Sequence, residues 1–277
     1  MRPEFKDKIM HVLFLVPTLI AAGMLVMMLA FMSEGIGQIS WRFLSSSIFE
    51  GGIFEPIMGT FFLFLGTVLI TMPIGIFAAI YLVEYAPRDS KFVRIVDQAI
   101  NNLAGVPSIV IGLFGYTFFC KILGLGISLV AGWLTLTLMM LPIMIRGTEE
   151  ALRMIPQSFR EAAMALGATK WETVRDAVLP AAMPGILTSI LLGVARVAGE
   201  TAAIIFTASV LTMKGLPRTP LEPVTSLTFY LFVLLVAIPK TSYKVAFGVA
   251  LVLFGIVFLF SAIATVIRMY YRRKWKW

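Results

Sequence analysis

The sequence predicts an all-α integral membrane protein with six transmembrane helices. Two observations carry that reading. The 277 residues are 59% hydrophobic and 14% charged, with a mean hydropathy of +0.93, whereas a soluble domain holds about 45–50% apolar and about 25% charged residues. The apolar residues also gather into separated runs of about 20 or more, the length a helix needs to cross a bilayer.

In chain order, Arg2, Lys6 and Lys8 precede an apolar run from about Ile9 to Met32. It is long for a signal-peptide core and lacks a small-residue cleavage site, so it reads as an uncleaved first helix. Residues 33–56, with Trp41, Glu50, Gly51, Gly52 and Glu55, read as an interfacial loop. The second helix is expected from about Ile57 to Val83, kinked at Pro73. Residues 84–102 are polar and read as a loop. The third helix runs from about Leu103 to Ile122, with Pro107 and Ser108 near its start. After the turn Gly124-Leu125-Gly126, the fourth helix spans about Ile127 to Ile145. The fifth runs from about Met183 to Met213, with Pro184 in its first turn. In the loop 214–242, the apolar patch Leu227–Ile238 is too short for a span and reads as re-entrant or interfacial. The sixth helix runs from about Tyr243 to Met269, before a tail of cations and tryptophans.

Six spans put both termini on one side. Sixteen Lys and Arg residues fall on that side, including five in the loop 146–182. Six fall on the other: Arg42, Lys121, Lys214, Arg218, Lys240 and Lys244. The excess marks the termini and the 146–182 loop as cytoplasmic. The net charge of +8 therefore reports topology and contact with membrane lipid, not nucleic acid. One cysteine (Cys120) excludes an internal disulfide, and one histidine (His11) leaves no His-based metal site or triad. No G-x-x-x-x-G-K-[ST] stretch occurs, so no P-loop ATP site is present. These gaps weigh against a membrane-bound enzyme.

Residues 158–180 stand out between two apolar segments. Ser158 with Glu161, and Thr169 with Glu172, have the S/T-x-x-E spacing of a capping box. Gly167 between them suits the left-handed stop that ends a helix. The pattern predicts two short helices joined at Gly167, the second ended by Pro180. Phe159, Ala162, Ala163 and Leu166 form one apolar face, and Trp171, Val174 and Val178 another. Such a knuckle is too short to stand alone.

Glu161-Ala162-Ala163, then Gly167, then Leu179-Pro180, resembles the EAA loop of binding-protein-dependent ABC importer permeases. Ala177 departs from the branched aliphatic residue usual at its position. The resemblance implies a type I (MetI-like) permease bundle covering 1–277 as a single domain, with a core at about 57–269 and a cytoplasmic coupling loop at 146–182. It implies that Glu161, Ala162, Ala163, Gly167, Leu179 and Pro180 dock on a separate ATPase subunit, which binds ATP and Mg.

Arg196 and Glu200 are four residues apart and would share a helix face. Arg196 lies thirteen residues beyond Met183, about 20 Å along a helix, near mid-bilayer. A lone arginine there costs roughly 2.5–3.5 kcal/mol even on the lenient scale, so it must face protein, water or an anion. Ser189, Gly193, Arg196, Glu200, Ala203 and Thr207 make a small or polar stripe facing the bundle interior. Either the pair fixes packing, or Arg196, Glu200, Ser189 and Thr207 line a substrate path in which the guanidinium fork suits an oxyanion.

Gly199-Glu200-Thr201-Ala202 after Arg196, with Leu103-Ala104-Gly105-Val106-Pro107-Ser108-Ile109-Val110, resembles phosphate-transport permeases. That implies a complex in the inner membrane: this subunit, a second related permease, two ATPase subunits and an extracytoplasmic phosphate-binding protein. Transport of another oxyanion or small solute stays open at this stage. An ATPase-independent transporter or channel would leave the 158–180 knuckle unexplained.

Overall fold

The computed structural model describes residues 3–87, 90–211, 215–237 and 243–274. Arg2, Arg88, Met213, Lys214, Lys240 and the tail Trp275, Lys276 and Trp277, all used in reading the topology, lie outside them. Regular structure among the described residues is helical, apart from one isolated bridge between Ser209 and Val224.

The first helix, α1, covers Pro3–Ser33, and its apolar side chains stand exposed along most of its length. A compact connection follows. Ser40 caps the single turn Trp41–Ser45 by accepting from the Phe43 amide at 3.2 Å. The Glu55 carboxylate accepts from the Ile48 amide at 3.0 Å, which holds the loop over the start of the next helix. That helix, α2, spans Phe54–Tyr85. It passes through Pro73 and widens into a π turn over Tyr81–Tyr85.

The stretch 84–102 is not a loop. Most of it belongs to α3, Lys91–Ala104. Val93, Val96 and Ile100 pack on the core under α3, while Lys91, Phe92, Arg94 and Ile95 are exposed. Alternating polar and apolar residues hide such a helix from any search for apolar runs. The third span starts five residues later than expected, as α4, Ser108–Ile122, and meets α3 at 106°. Pro107 sets the corner. It disfavours helical backbone at Val106 and itself precedes the first turn of α4.

Ser128 then caps α5, Leu129–Arg153, accepting from Ala131 N at 3.3 Å. The knuckle follows: α6, Gln157–Ala165, and α7, Lys170–Ala198. The fifth span therefore begins thirteen residues before Met183. It also stops short, at Ala198, and resumes as the short α8, Ala202–Thr207. The apolar patch forms α9, Leu227–Ala237, inserted beside the bundle. The Leu227 amide donates to Thr60 Oγ1 of α2 at 2.8 Å, and Leu227, Tyr230 and Leu234 join one buried cluster with Val249. The last helix, α10, covers Tyr243–Lys274.

The long α5 is the central post. It packs along α2 on one side and α7 on the other, while α7 also packs on α10 and α4 pairs with α8. The larger core cluster joins Leu63, Phe64, Leu136, Met140, Val197 and Ile204 from α2, α5, α7 and α8. A second core, under the knuckle, joins Ile80, Leu152, Val174, Val178 and Ile186. Among the described residues five helices are long and apolar enough to cross a membrane, and the bent α3–α4 pair makes a sixth if counted as one span.

Candidate functional site

The knuckle is built from local signals. The Ala168 amide donates to Ala163 O at 3.2 Å and the Gly167 amide to Met164 O at 3.0 Å. With Gly167 at φ +88°, these bonds make the Schellman stop that glycine permits. Thr169 then starts α7 with a complete capping box. Its Oγ1 accepts from Glu172 N at 3.3 Å, and the Glu172 carboxylate accepts from Thr169 N at 2.8 Å. The Ser158–Glu161 box does not form. Helix α6 begins at Gln157, with Pro156 at its cap, which leaves Ser158 inside the first turn.

The predicted apolar face of α6 divides. Phe159 packs on the lower core and Ala163 is half-buried, whereas Glu161 and Ala162 are exposed. Leu166 is 90% exposed, and Met164 and Trp171 also stand out in solvent. Nor does Pro180 end a helix. The backbone runs through it as the start of the straight part of α7, and Leu179 and Pro180 are half-buried. Pro180 has no N–H for the carbonyl four residues back. The π turn Thr173–Val178 just before it widens the helix where that bond is missing.

The residue that anchors the knuckle was not singled out by sequence. Arg160 reaches inward from α6 to the end of α2. Its Nη2 donates to Glu84 Oε1 at 2.7 Å and its Nε to both Glu84 oxygens at 3.1 and 3.2 Å. Its Nη1 and Nη2 also donate to Ile155 O at 2.8 Å and Leu152 O at 3.0 Å, carbonyls at the end of α5. Beyond Gly167, Lys170 Nζ lies 4.8 Å from the centre of the Tyr85 ring. A cavity of about 930 Å³ opens between these elements, lined by Glu84, Asp97, Arg153, Arg160, Lys170 and Thr173 among others. Nearby, Arg146 of α5 donates to Asp97 at 2.9 Å and Glu149 at 2.7 Å, tying α3 to α5. These partners are far apart in sequence, and the visible hint is an acid, Glu84, closing an apolar span.

The membrane-depth stripe is rearranged. Ser189 is buried against Gly147 of α5, and its Oγ donates to Gly185 O at 3.2 Å. Thr207 is fully buried and donates to Ala203 O at 2.9 Å. Within this chain both are buried packing residues. Gly193 lies against Met140, near the middle of α5. Arg196, three residues on, is therefore about 4.5 Å further along the span, and it is exposed.

The expected Arg196–Glu200 pair is absent, because α7 ends between the two residues. Glu200 turns forward instead, and its Oε1 accepts from Ala203 N at 3.3 Å at the start of α8. The Glu200 carbonyl, freed by the break, accepts from Thr228 Oγ1 of α9 at 3.0 Å. Unwound backbone at this depth must be satisfied internally or line a cavity, and α9 supplies that partner. Arg196 sits in the last turn of α7, where a cation suits the helix dipole. It has no hydrogen bond or ion pair among the described residues. Leu103 and Val106 pack on the same core as Val197 and Ala198, so the two stretches around Pro107 and Gly199 meet in space.

A multi-pass helical bundle with a capped knuckle on one side and a broken helix at mid-depth has the build of a membrane transport permease. Residues 71–216 match the binding-protein-dependent transport system inner membrane component, and the chain belongs to that family, whose members work with an ATPase and a binding protein. A probable ABC transporter permease protein, YqgI of Bacillus subtilis, is 37% identical over 217 residues, covering 76% of this chain and 74% of that protein. The phosphate transport system permease protein PstA 2 of Mycobacterium bovis is 33% identical over 251 residues, covering 90% and 83%. The PstA of Mycobacterium leprae is 42% identical over 157 residues, covering 57% of this chain and about half, 51%, of that protein. A solved chain of the inward-facing MetNI methionine ABC transporter shares the fold at a TM-score of 0.60 and 22% identity, covering 79% of this chain and 94% of that one.

Proposed function

We propose that this chain is the transmembrane permease subunit of an ATP-driven importer of inorganic phosphate. In this reading an extracytoplasmic phosphate-binding protein delivers the anion, and a second related permease completes the pathway. Two ATPase subunits bind ATP and Mg and dock on the knuckle, with both termini cytoplasmic in the cell's inner membrane. Relatives named for phosphate transport support the substrate.

The observation that carries the proposal is Arg196: exposed, near mid-span and without a partner among the described residues. An unpaired cation cannot rest against lipid tails without a cost of roughly 2.5–3.5 kcal/mol or more. An aqueous path shared with the second permease removes that cost, and a phosphate anion passing there gains a planar fork of donors. Glu200, beyond the break and half-buried, keeps the local field from becoming a trap, since conduction needs release as well as entry. Glu161, Ala162, Ala163 and Gly167 present the docking face, and Leu179 and Pro180 carry its motion into α7.

The test is ATP-driven phosphate uptake by the complete complex in proteoliposomes. Arg196→Ala is expected to abolish uptake while the complex still assembles, and Arg196→Lys to be impaired less. Wild-type uptake by Arg196→Ala sinks the pathway assignment. Uptake of another solute but not phosphate by the unaltered complex sinks the substrate.

A further inference from the structure

The knuckle holds three helices, not two. It is continuous with α5 through Pro156 and with α7 through Thr169, but it also clasps the end of α2 from both arms. Arg160, on the arm before Gly167, takes Glu84 in a fork, with side chains only 12% and 8% exposed. Lys170, on the arm after Gly167, lies over the ring of the adjacent Tyr85. The contacts are selective. Arg160 places Nε, Nη1 and Nη2 all on partners within this chain, so its fork is committed to the fold.

The gripped end is built differently from the rest of α2. Tyr81–Tyr85 is a widened π turn, and Pro73 interrupts the helix bonding two turns above it. Between the two, Ala79 and Ile80 are buried in the lower core. Above Pro73, Thr71 Oγ1 donates to Thr137 Oγ1 of α5 at 3.0 Å. The lower part of α2 is thus clasped by the knuckle while it also packs on α5 through Gly75, Ala79 and Ile80, and its upper part is bonded to α5 at Thr71. Proline is where a helix bends most readily.

From this geometry we infer that Arg160 and Glu84 form a strut that carries displacement of the knuckle into α2. The inference rests on the reading of the knuckle as an ATPase-docking element. Arg160 is a positioning residue: it touches neither nucleotide nor substrate. When the docked ATPase shifts α6, the charge-paired fork obliges the lower part of α2 to follow, hinging at Pro73. A change on one side of the bundle then reaches the helix that frames α5 from the other side.

The experiment uses the complete reconstituted complex, with assembled complex quantified by its bound ATPase and coupling read as phosphate transported per ATP hydrolysed. The unaltered complex is measured first. If it transports no phosphate, the functional reading fails, not the strut. Arg160→Gln and Glu84→Gln are each expected to lower the coupling ratio per assembled complex on the order of tenfold while ATP hydrolysis continues, and the double variant to be no worse than Arg160→Gln, as for two residues in one interaction. Arg160→Lys, which keeps the charge and loses the fork, should fall between. If Arg160→Gln does not assemble, Glu84→Gln decides, because it leaves Arg160's bonds to Ile155 and Leu152 in place. A coupling ratio per complex equal to wild type, or losses that multiply in the double variant, overturns the strut and leaves the pair as a fold anchor.

Discussion

Replacing Gly167 with valine isolates the backbone's part in coupling. Gly167 sits at φ +88°, and a Cβ added there meets nothing within 4 Å. Within this chain the effect of Gly167→Val is therefore expected from conformation. A left-handed L-residue costs roughly 1–2 kcal/mol, and a β-branched one is the worst placed to adopt it. The turn's two amide bonds, at 3.2 and 3.0 Å, contribute about 0.5–1.5 kcal/mol each and weaken together if the turn opens. A bias of about 1–2 kcal/mol lowers the ratio of closed to open knuckle by roughly 5- to 30-fold. The transmembrane helices bury their own surfaces and do not depend on this turn, so insertion should be unchanged. We expect Gly167→Val to reach wild-type abundance in the membrane and to lose substrate-stimulated ATPase activity in the reconstituted complex, by at most roughly that 5- to 30-fold change in the ratio. Gly167→Asn is the control, because asparagine tolerates the left-handed region, and it should stay close to wild type. Full stimulation in the valine variant would refute the reasoning, as would an asparagine variant as impaired as valine.

Cysteine placed at Lys170 should react with a membrane-impermeant thiol reagent from the cytoplasmic side only, and cysteine at Arg218 from outside only. The reverse pattern overturns the topology and the docking assignment with it. Gly147→Val drives a side chain into Ser189 and against the α7 backbone. Overpacking of this kind costs about 1–3 kcal/mol, so the purified protein should unfold at lower temperature, and Ser189→Gly should restore part of the loss; unchanged melting excludes the close α5–α7 contact. Glu161→Lys reverses an exposed charge on α6 without touching the core. It should leave membrane abundance intact and cut ATPase co-purification, and normal co-purification would remove Glu161 from the docking face.

What sequence reading recovered was local. Apolar runs mark the spans because each helix must satisfy its own backbone in lipid. The Thr169–Glu172 box and the Gly167 stop were legible because every bond they need lies within six residues. The same logic failed at Ser158, where Pro156 starts the helix early. It failed again at Arg196 and Glu200, since an i, i+4 pair presumes unbroken helix and α7 stops at Ala198. A glycine at 199 followed by an acid able to cap the next helix was the available sign of that break. Helix α3 was missed because it is amphipathic, with its apolar residues spaced at helical period and not in a run. The Arg160–Glu84 contact spans 76 residues, and no spacing rule reaches across a fold.

The chain's arginines divide by how their donors are used. Arg160 and Arg146 are held by carboxylates and carbonyls of their own chain, and each joins helices that are distant in sequence. Such a group is committed to the fold, and at Arg160, where both side chains of the pair are largely buried, removing the partner strands a charge in a poorly solvated site. Arg196 is the opposite case. It lies at membrane depth, where pairing would be most favourable, and the acid four residues on caps α8 instead. Had the chain needed a structural ion pair there, an uninterrupted α7 would have supplied one at helical spacing. The break at Gly199 keeps the two groups apart, and Thr228 of α9 helps hold it open by binding the freed Glu200 carbonyl. Among the described residues the fold thus leaves Arg196 an uncommitted cation at membrane depth, as the proposed anion path requires.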